Sequence, residues 1–126
     1  MREIKFRAWD DFDKRMGLVT DICFENDVCV NFSPDVEYEK FEWQDIVLMQ
    51  YTGLKDKKGV EIYEGDLVKN ANGHPHVVVY GLDDTTNPAN YCGFIMRRNG
   101  VNELFEWSNW NLEVIGNIHS NPELIK

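Results

Sequence analysis

Long apolar runs are missing from this chain. The longest uninterrupted ones, such as Ile46 to Met49, hold four residues, far short of the roughly 20 that a membrane-spanning helix needs. The opening "MREIKFRAWD" carries no apolar stretch of the kind a secretory signal requires, so a cytoplasmic location and no membrane partner are expected. Cysteine is scarce. Cys23, Cys29 and Cys92 make an odd count of three with no CxxC, which excludes a disulfide framework and a four-cysteine zinc site. Positive charge is also in deficit. Thirteen Lys and Arg face 22 Asp and Glu, a net charge of −9. That is the wrong sign for tracking a nucleic-acid backbone or an anionic membrane surface.

What is present is a period of two. Hydrophobic residues make up 43% of 126 residues and aromatics 13%, enough for the core of one domain or of two small lobes. Short alternating runs separated by turn residues predict antiparallel strands and a mainly β fold. "EIKFRAW" sets Ile4, Phe6 and Ala8 against Lys5, Arg7 and Trp9. "GLVTDICF" and "VCVNF" flank a turn. A three-residue loop at Glu25, Asn26 and Asp27 pairs Phe24 with Val28 and Ile22 with Val30, keeping all four on one face, as hydrophobic phase requires. The same register sets Cys23 opposite Cys29. The acidic segment 35–45 reads as strands with a phase break, the alternative being that Asp45 opens a short helical turn. "IVLMQYT" follows as a strand.

"QYTGLKDKKGVEIYEGDLV", from Gln50 to Val68, is dense in turn chemistry. Asp56-Lys57-Lys58-Gly59 is a type I turn with a glycine bulge, its arms running from Tyr51 to Leu54 and from Val60 to Tyr63. Glu64-Gly65-Asp66 is a second bend, where Asp66 is placed to tie down the turn. Beyond it, "HVVVYGL", "YCGFIMR", "ELFEWS" and "LEVIGNIH" are strand candidates. Asn121 before Pro122 suits a helix cap followed by one helical turn. Five or so strands after residue 60 suggest a small closed barrel with the N-terminal strands packed on it.

Four blocks carry a family resemblance. They are "REIKFRAWD" followed by Lys14 and Met16, "MQYTGLKDKKGVEIYEGDLV", the pair Gly93-Phe94, and "EVIGNIHSNPEL". In order and spacing they resemble the YopX-like family of bacteriophage and prophage proteins, over nearly the whole chain. Val68 to Asn90 departs from the family pattern. The resemblance implies a single domain over 1–126, with N-terminal strands over about 1–49 and an SH3-like barrel lobe over 50–126. It also implies expression in the cytoplasm of a bacterial host. It assigns no activity and no catalytic residues. The matching positions Trp9, Gln50, Tyr51, Thr52, Gly53, Asp56, Gly59, Ile62, Glu64, Gly65, Asp66, Gly116 and Asn117 are expected to be structural.

Each chemical reading of these residues meets a plainer one. Gly53, Gly59 and Gly65 are spaced six apart, matching neither a Walker loop nor GxGxxG, so they read as turn glycines. Glu64 and Asp66 flank a turn rather than converging on a cleft, which general acid/base work demands. His74 and His76 would share a strand face as two metal ligands, with Cys92, His119, Asp83 or Asp84 completing the set, but Pro75 between them favours a loop or edge and surface histidines. Cys23 and Cys29 read as thiols rather than a disulfide, and Cys92 with a distant His is the weakest nucleophile candidate. No catalytic residue, metal or cofactor is therefore expected. Lys5, Arg7, Lys55, Lys57, Lys58, Arg97 and Arg98, with Trp9 and Tyr51 as stacking platforms, form an alternative nucleic-acid face. Of Trp43, Trp107 and Trp110, at least one belongs in a core. The acidic aromatic segment, Glu37, Tyr38, Glu39, Phe41, Glu42 and Trp43, has the composition of a protein-binding surface. The leading expectation is a non-catalytic module binding a host or phage protein. A nucleic-acid-binding barrel is the alternative and an enzyme ranks third. Self-association through edge strands is open, and the polar loop Asp83 to Asn90 is a further place for function.

Overall fold

The computed structural model describes residues 4–23, 25, 27–33, 37–69, 73–83, 91–98, 101–104 and 112–125. The chain divides into two compact units, Met1–Tyr51 and Thr52–Lys126. It is mainly β, built from two antiparallel sheets and short 3-10 turns. None of the described helices is long and apolar enough to cross a membrane.

The first unit holds β1 (Phe6–Asp10), β2 (Arg15–Ile22), β3 (Asp27–Asn31), β4 (Glu39–Glu42) and the first half of β5 (Val47–Lys55), with a 3-10 turn at Trp43–Asp45 between β4 and β5. The strand order is β4-β3-β2-β1-β5. Hydrophobic phase sets the core face: Ala8, Val28, Val30 and Ile46 are buried together, and Val19, Ile22, Phe41 and Trp43 pack against them. Asp45 closes its 3-10 turn rather than opening it.

The β2–β3 register differs from the expected one. Ile22 faces Val28 and Val19 faces Val30, with a bulge between Val19 and Asp21. Cys23 N–H donates to Asp27 O at 2.8 Å, which leaves residues 24–26 between the strands, a three-residue loop one position earlier than expected. At Asp21 and Ile22 the slip is two residues, so Ile22, Val28 and Val30 still face the core; on the other side of the bulge, at Leu18 and Val19, it is three, which turns Val19 inward and Leu18 out. Phe24 lies outside the described residues. In consequence Cys29 faces Asp21 rather than Cys23; Cys23 is exposed and Cys29 buried, both as free thiols.

In the second unit β6 (Glu61–Tyr63) pairs with the continuation of β5. Next come β7 (Asp66–Lys69), β8 (Pro75–Asp83), β9 (Tyr91–Arg98), β10 (Val101–Leu104) and β11 (Glu113–Asn117), in a sheet ordered β10-β9-β8-β7-β11. Its core gathers Ile62, Val68, Val78, Phe94, Met96 and Leu112. The expected C-terminal helical turn is a 3-10 turn at Pro122–Ile125. Asn121 accepts Leu124 N–H through its backbone oxygen, while its side chain accepts Asn117 N–H.

Candidate functional site

The glycine-rich stretch is built as two locked turns. Gly59 and Gly65 sit at φ 83° and 86°, a left-handed region that only glycine enters without cost. Asp56, nearly buried, aims its carboxylate at backbone. Oδ1 accepts Lys58 N–H and Val60 N–H at 2.8 and 2.9 Å, and Oδ2 accepts Val114 N–H at 2.9 Å. Lys57 N–H reaches Leu112 O at 3.0 Å, so the turn is stitched to the start of β11. Burial alone would raise the Asp56 carboxyl. The N–H groups of Val114, Val60 and Lys58 outweigh it and hold the acid below its usual range. At the second bend, buried Asp66 Oδ2 accepts Tyr63 N–H at 2.8 Å, and Gly65 N–H donates to Val78 O at 2.7 Å. These carboxylates hold main chain.

The basic candidates separate. Lys58, Lys57 and Lys69 surround Glu113 at 3.1, 3.5 and 3.8 Å. Lys58 foremost, then its two neighbours, lowers the Glu113 carboxyl below its usual range. Trp9 and Tyr51, expected as stacking platforms, are each only 4% exposed. Both rings are buried and offer no base a surface, a correction to their expected role as stacking platforms. Lys5 Nζ lies 5.2 Å over the Tyr51 ring. Arg97 is exposed and Arg98 half-buried.

His74 is exposed, whereas His76 is buried on β8, with Nδ1 3.0 Å from His74 O. The expected surface position of His76 is thus overturned: Pro75 begins the strand, and His76 falls on its inward phase opposite Val68. Among the described residues no cluster of His, Cys, Asp and Glu could hold a metal ion. Burial, then Asp27 and Asp21, pushes the Cys29 thiol up, away from thiolate chemistry. Asp84, most of the 83–90 loop, Trp107 and Trp110 lie outside the described residues, as do the side chains of Asp83 and Cys92.

The acidic aromatic segment divides by phase. Phe41 and Trp43 turn inward to the first core, and Trp43 Nε1 donates to Cys23 O at 3.3 Å. Glu37, Tyr38, Glu39 and Glu42 are exposed. Of the six expected partner-binding residues, four therefore remain at the surface. The sequence reading passed over a neighbour, Phe12, which is 93% exposed on the β1–β2 turn. Buried Asp10 builds that turn. Its Oδ1 accepts Phe12 N–H and Asp13 N–H at 3.1 and 3.4 Å, and Lys14 closes it at φ 55°. Arg15 joins the turn to β4. Its Nε donates to Asp10 Oδ2 at 3.1 Å, and its fork donates to both Glu39 oxygens at 2.8 and 3.0 Å. The Glu39 bond chiefly, with Asp10, raises the Arg15 guanidinium above its usual range despite partial desolvation. Arg15 also stacks over Phe32, 3.8 Å from the ring centroid. One end of the first unit thus carries Phe12 on a turn fixed by Asp10 and Arg15, with exposed Asp11 and Asp13 beside it in the turn and exposed Glu37 and Tyr38 just before Glu39. A phenylalanine flanked by acids in "DDFD", Asp10 to Asp13, was the available signal.

The family model described as YopX protein matches residues 5–126. The crystal structure of protein EF1440 from Enterococcus faecalis is similar to this chain at 29% identity, over 100% of each chain, with a TM-score of 0.68. No curated protein matches.

Proposed function

Since the chain belongs to the YopX protein family, matched over residues 5–126, we propose that it is a phage or prophage protein that works in the bacterial cytoplasm by binding another protein, without catalysis. The observation that carries this reading is the Arg15 bridge, which fixes the Phe12 turn and the start of β4 at one end of the first unit. An exposed aromatic on a pre-ordered turn is the form a binding hot spot takes, because little ordering cost remains to be met on association. The surrounding carboxylates select a basic rim on the partner and speed its approach.

The test is affinity capture from the bacterial host with the intact protein, Phe12→Ser and Glu37→Gln/Glu42→Gln, followed by titration of the captured partner. Phe12→Ser should weaken binding by about 2 kcal/mol, roughly 30-fold, with the melting temperature unchanged. The double Gln variant should slow association and flatten its salt dependence. Equal capture by Phe12→Ser and the intact protein would sink the reading. The three lysines around Glu113 favour a second reading, an SH3-like barrel in the C-terminal lobe binding single-stranded nucleic acid. A gel shift that weakens with salt and with Lys58→Ala would support it.

A further inference from the structure

Cys23 and Cys29 are both free thiols, and the register of β2 and β3 sets them side by side. Residues two apart on a strand share a face. Asp21 lies opposite Cys29, and Cys23 N–H donates to Asp27 O at 2.8 Å. Asp21 and Cys23 on one side of the hairpin therefore meet Cys29 and Asp27 on the other, and Cys23 is the diagonal neighbour of Cys29 on one face of the sheet. The charges around Cys29 report the same proximity. Burial first, then Asp27 and Asp21, and further down Cys23 itself push the Cys29 thiol up, with Lys40 opposing them. Cys23 is exposed and Cys29 buried, so a reagent from solvent meets Cys23 and only a neighbouring group meets Cys29.

Diagonal neighbours on antiparallel strands have Cα atoms about 7–8 Å apart, and a disulfide needs about 4.4–6.8 Å, so a local shift of about 1–2 Å joins them. Cys23 is placed to supply that shift. It stands one residue beyond β2, which ends at Ile22, whereas Cys29 is held within β3 between Asp21 on β2 and Lys40 on β4. Two backbone contacts of Cys23 would open, its N–H to Asp27 O and its O from Trp43 Nε1 at 3.3 Å. We propose that Cys23 and Cys29 form a modification site, joined reversibly into a cross-strand disulfide by a two-electron thiol oxidant. Exposed Cys23 reacts first. With an azodicarboxamide, its sulfur adds to the N=N bond. The Cys29 sulfur then attacks the Cys23 sulfur, the S–N bond breaks and the S–S bond forms. The two thiols together lose two electrons and two protons, which leave on the azo compound as a hydrazine. Closure draws Cys23 O from Trp43, the first residue of the turn that follows β4, so oxidation releases one anchor at the end of the acidic strand. The site is separate from the Phe12 turn and does not depend on the protein-binding reading.

The test treats the full chain, folded and without denaturant, with the azodicarboxamide diamide, blocks remaining thiols with iodoacetamide and digests with trypsin. Cleavage after Arg15 and Lys40 leaves both cysteines in one peptide, residues 16–40, and Cys92 in another. The chain should stay monomeric, with peptide 16–40 unalkylated and lighter by two hydrogens, and dithiothreitol should restore it. In NMR of the undigested protein, the Trp43 indole N–H signal should move on oxidation and return on reduction. Cys23 N–H should exchange about tenfold faster in the oxidised form, about the effect of one lost hydrogen bond. Cys23→Ser, at an exposed position, should melt as the native chain does and show neither the mass change nor the Trp43 shift. An unchanged peptide 16–40, Cys23 linked only to Cys92 or to a second copy, closure that requires urea, or a disulfide that leaves the Trp43 signal in place would each overturn the proposal.

Discussion

Replacing Asp56 by Asn tests how the second unit holds its turn. The amide oxygen can still accept from Lys58 and Val60, where Oδ1 does so at 2.8 and 2.9 Å. The amide nitrogen then faces Val114 N–H, the partner Oδ2 holds at 2.9 Å, so a bond becomes a clash of donors. A hydrogen bond to a charged group contributes about 1.5–3 kcal/mol, and a neutral one about 1 kcal/mol. Losing one and weakening two should cost about 3 kcal/mol at pH 7. Asp56→Ala, which strands all three N–H groups, should cost about 4–5 kcal/mol, water relieving part of it at the exposed tip. Against a total stability of about 5–15 kcal/mol, either loss is easily read in urea melts followed by tryptophan fluorescence. The pH dependence gives an independent check. The folded carboxyl sits below its ordinary value, so its contribution is complete above the unfolded value of about 4 and is lost as pH falls through the folded one. The gap between the native chain and Asp56→Asn should therefore be full at pH 7 and narrow below about pH 4. In hydrogen exchange, Val114 N–H should be released more than Lys58 N–H. A gap under about 0.5 kcal/mol at pH 7, within the range of ordinary surface changes, or one that stays constant into acid, would refute the reasoning.

Other variants probe the remaining joints. Gly17→Ala would set a Cβ 2.9 Å from Asn31 O as well as against Val30 and Phe32, and should destabilise by about 2 kcal/mol through overpacking, measured by thermal melt. Thr52→Val removes a hydroxyl that donates to Ile62 O at 2.7 Å and accepts Leu54 N–H at 3.1 Å in a buried site. It should cost about 2 kcal/mol, with Thr52→Ser recovering most of it in the same urea assay. Lys58→Ala should return the Glu113 carboxyl toward its ordinary range, because Lys58 is the main cause of its lowering. An NMR titration of Glu113 that does not move would contradict that assignment.

The parts of this fold legible in the sequence are those fixed over a few residues. The Asp56 and Asp66 turns were read correctly because both are local chemistry: Asp56 accepts N–H groups two and four positions on, Asp66 accepts the N–H three positions back, and a glycine sits in each bend. Strand positions followed from alternation. The β2–β3 register did not, because phase fixes only whether a slip is odd or even, and the bulge at Val19/Asp21 leaves no mark in an alternating pattern. His76 was misplaced for a related reason: its burial opposite Val68 depends on which residue of β8 begins the pairing. The acidic aromatic segment was half legible. Composition located it, but the division of Phe41 and Trp43 inward from Tyr38 outward depends on β3 beside it.

Two turns in this molecule are built by the same device and differ in what they hold out. Both are built by a nearly buried aspartate whose Oδ1 accepts N–H groups from the residues after it: Phe12 and Asp13 for Asp10, Lys58 and Val60 for Asp56. At Asp56 the tip folds back on β11, through Lys57 N–H on Leu112 O and the lysines on Glu113, so its polar atoms serve the fold. At Asp10 the same device, braced by Arg15 on Glu39, holds out a phenyl ring that contributes nothing to either core. A turn of this kind is satisfied by any polar residue at position 12, and single exposed hydrophobic residues are common enough to need no explanation. Rigid backbone beneath the ring is what alters the weighing. It lowers the ordering cost of inserting Phe12 into a partner, and this gain is independent of whether the turn at Asp56 ever meets another molecule. The glycine-rich signature therefore reports that the chain folds this way, and the search for what it binds belongs at residues 10–15 and 37–42.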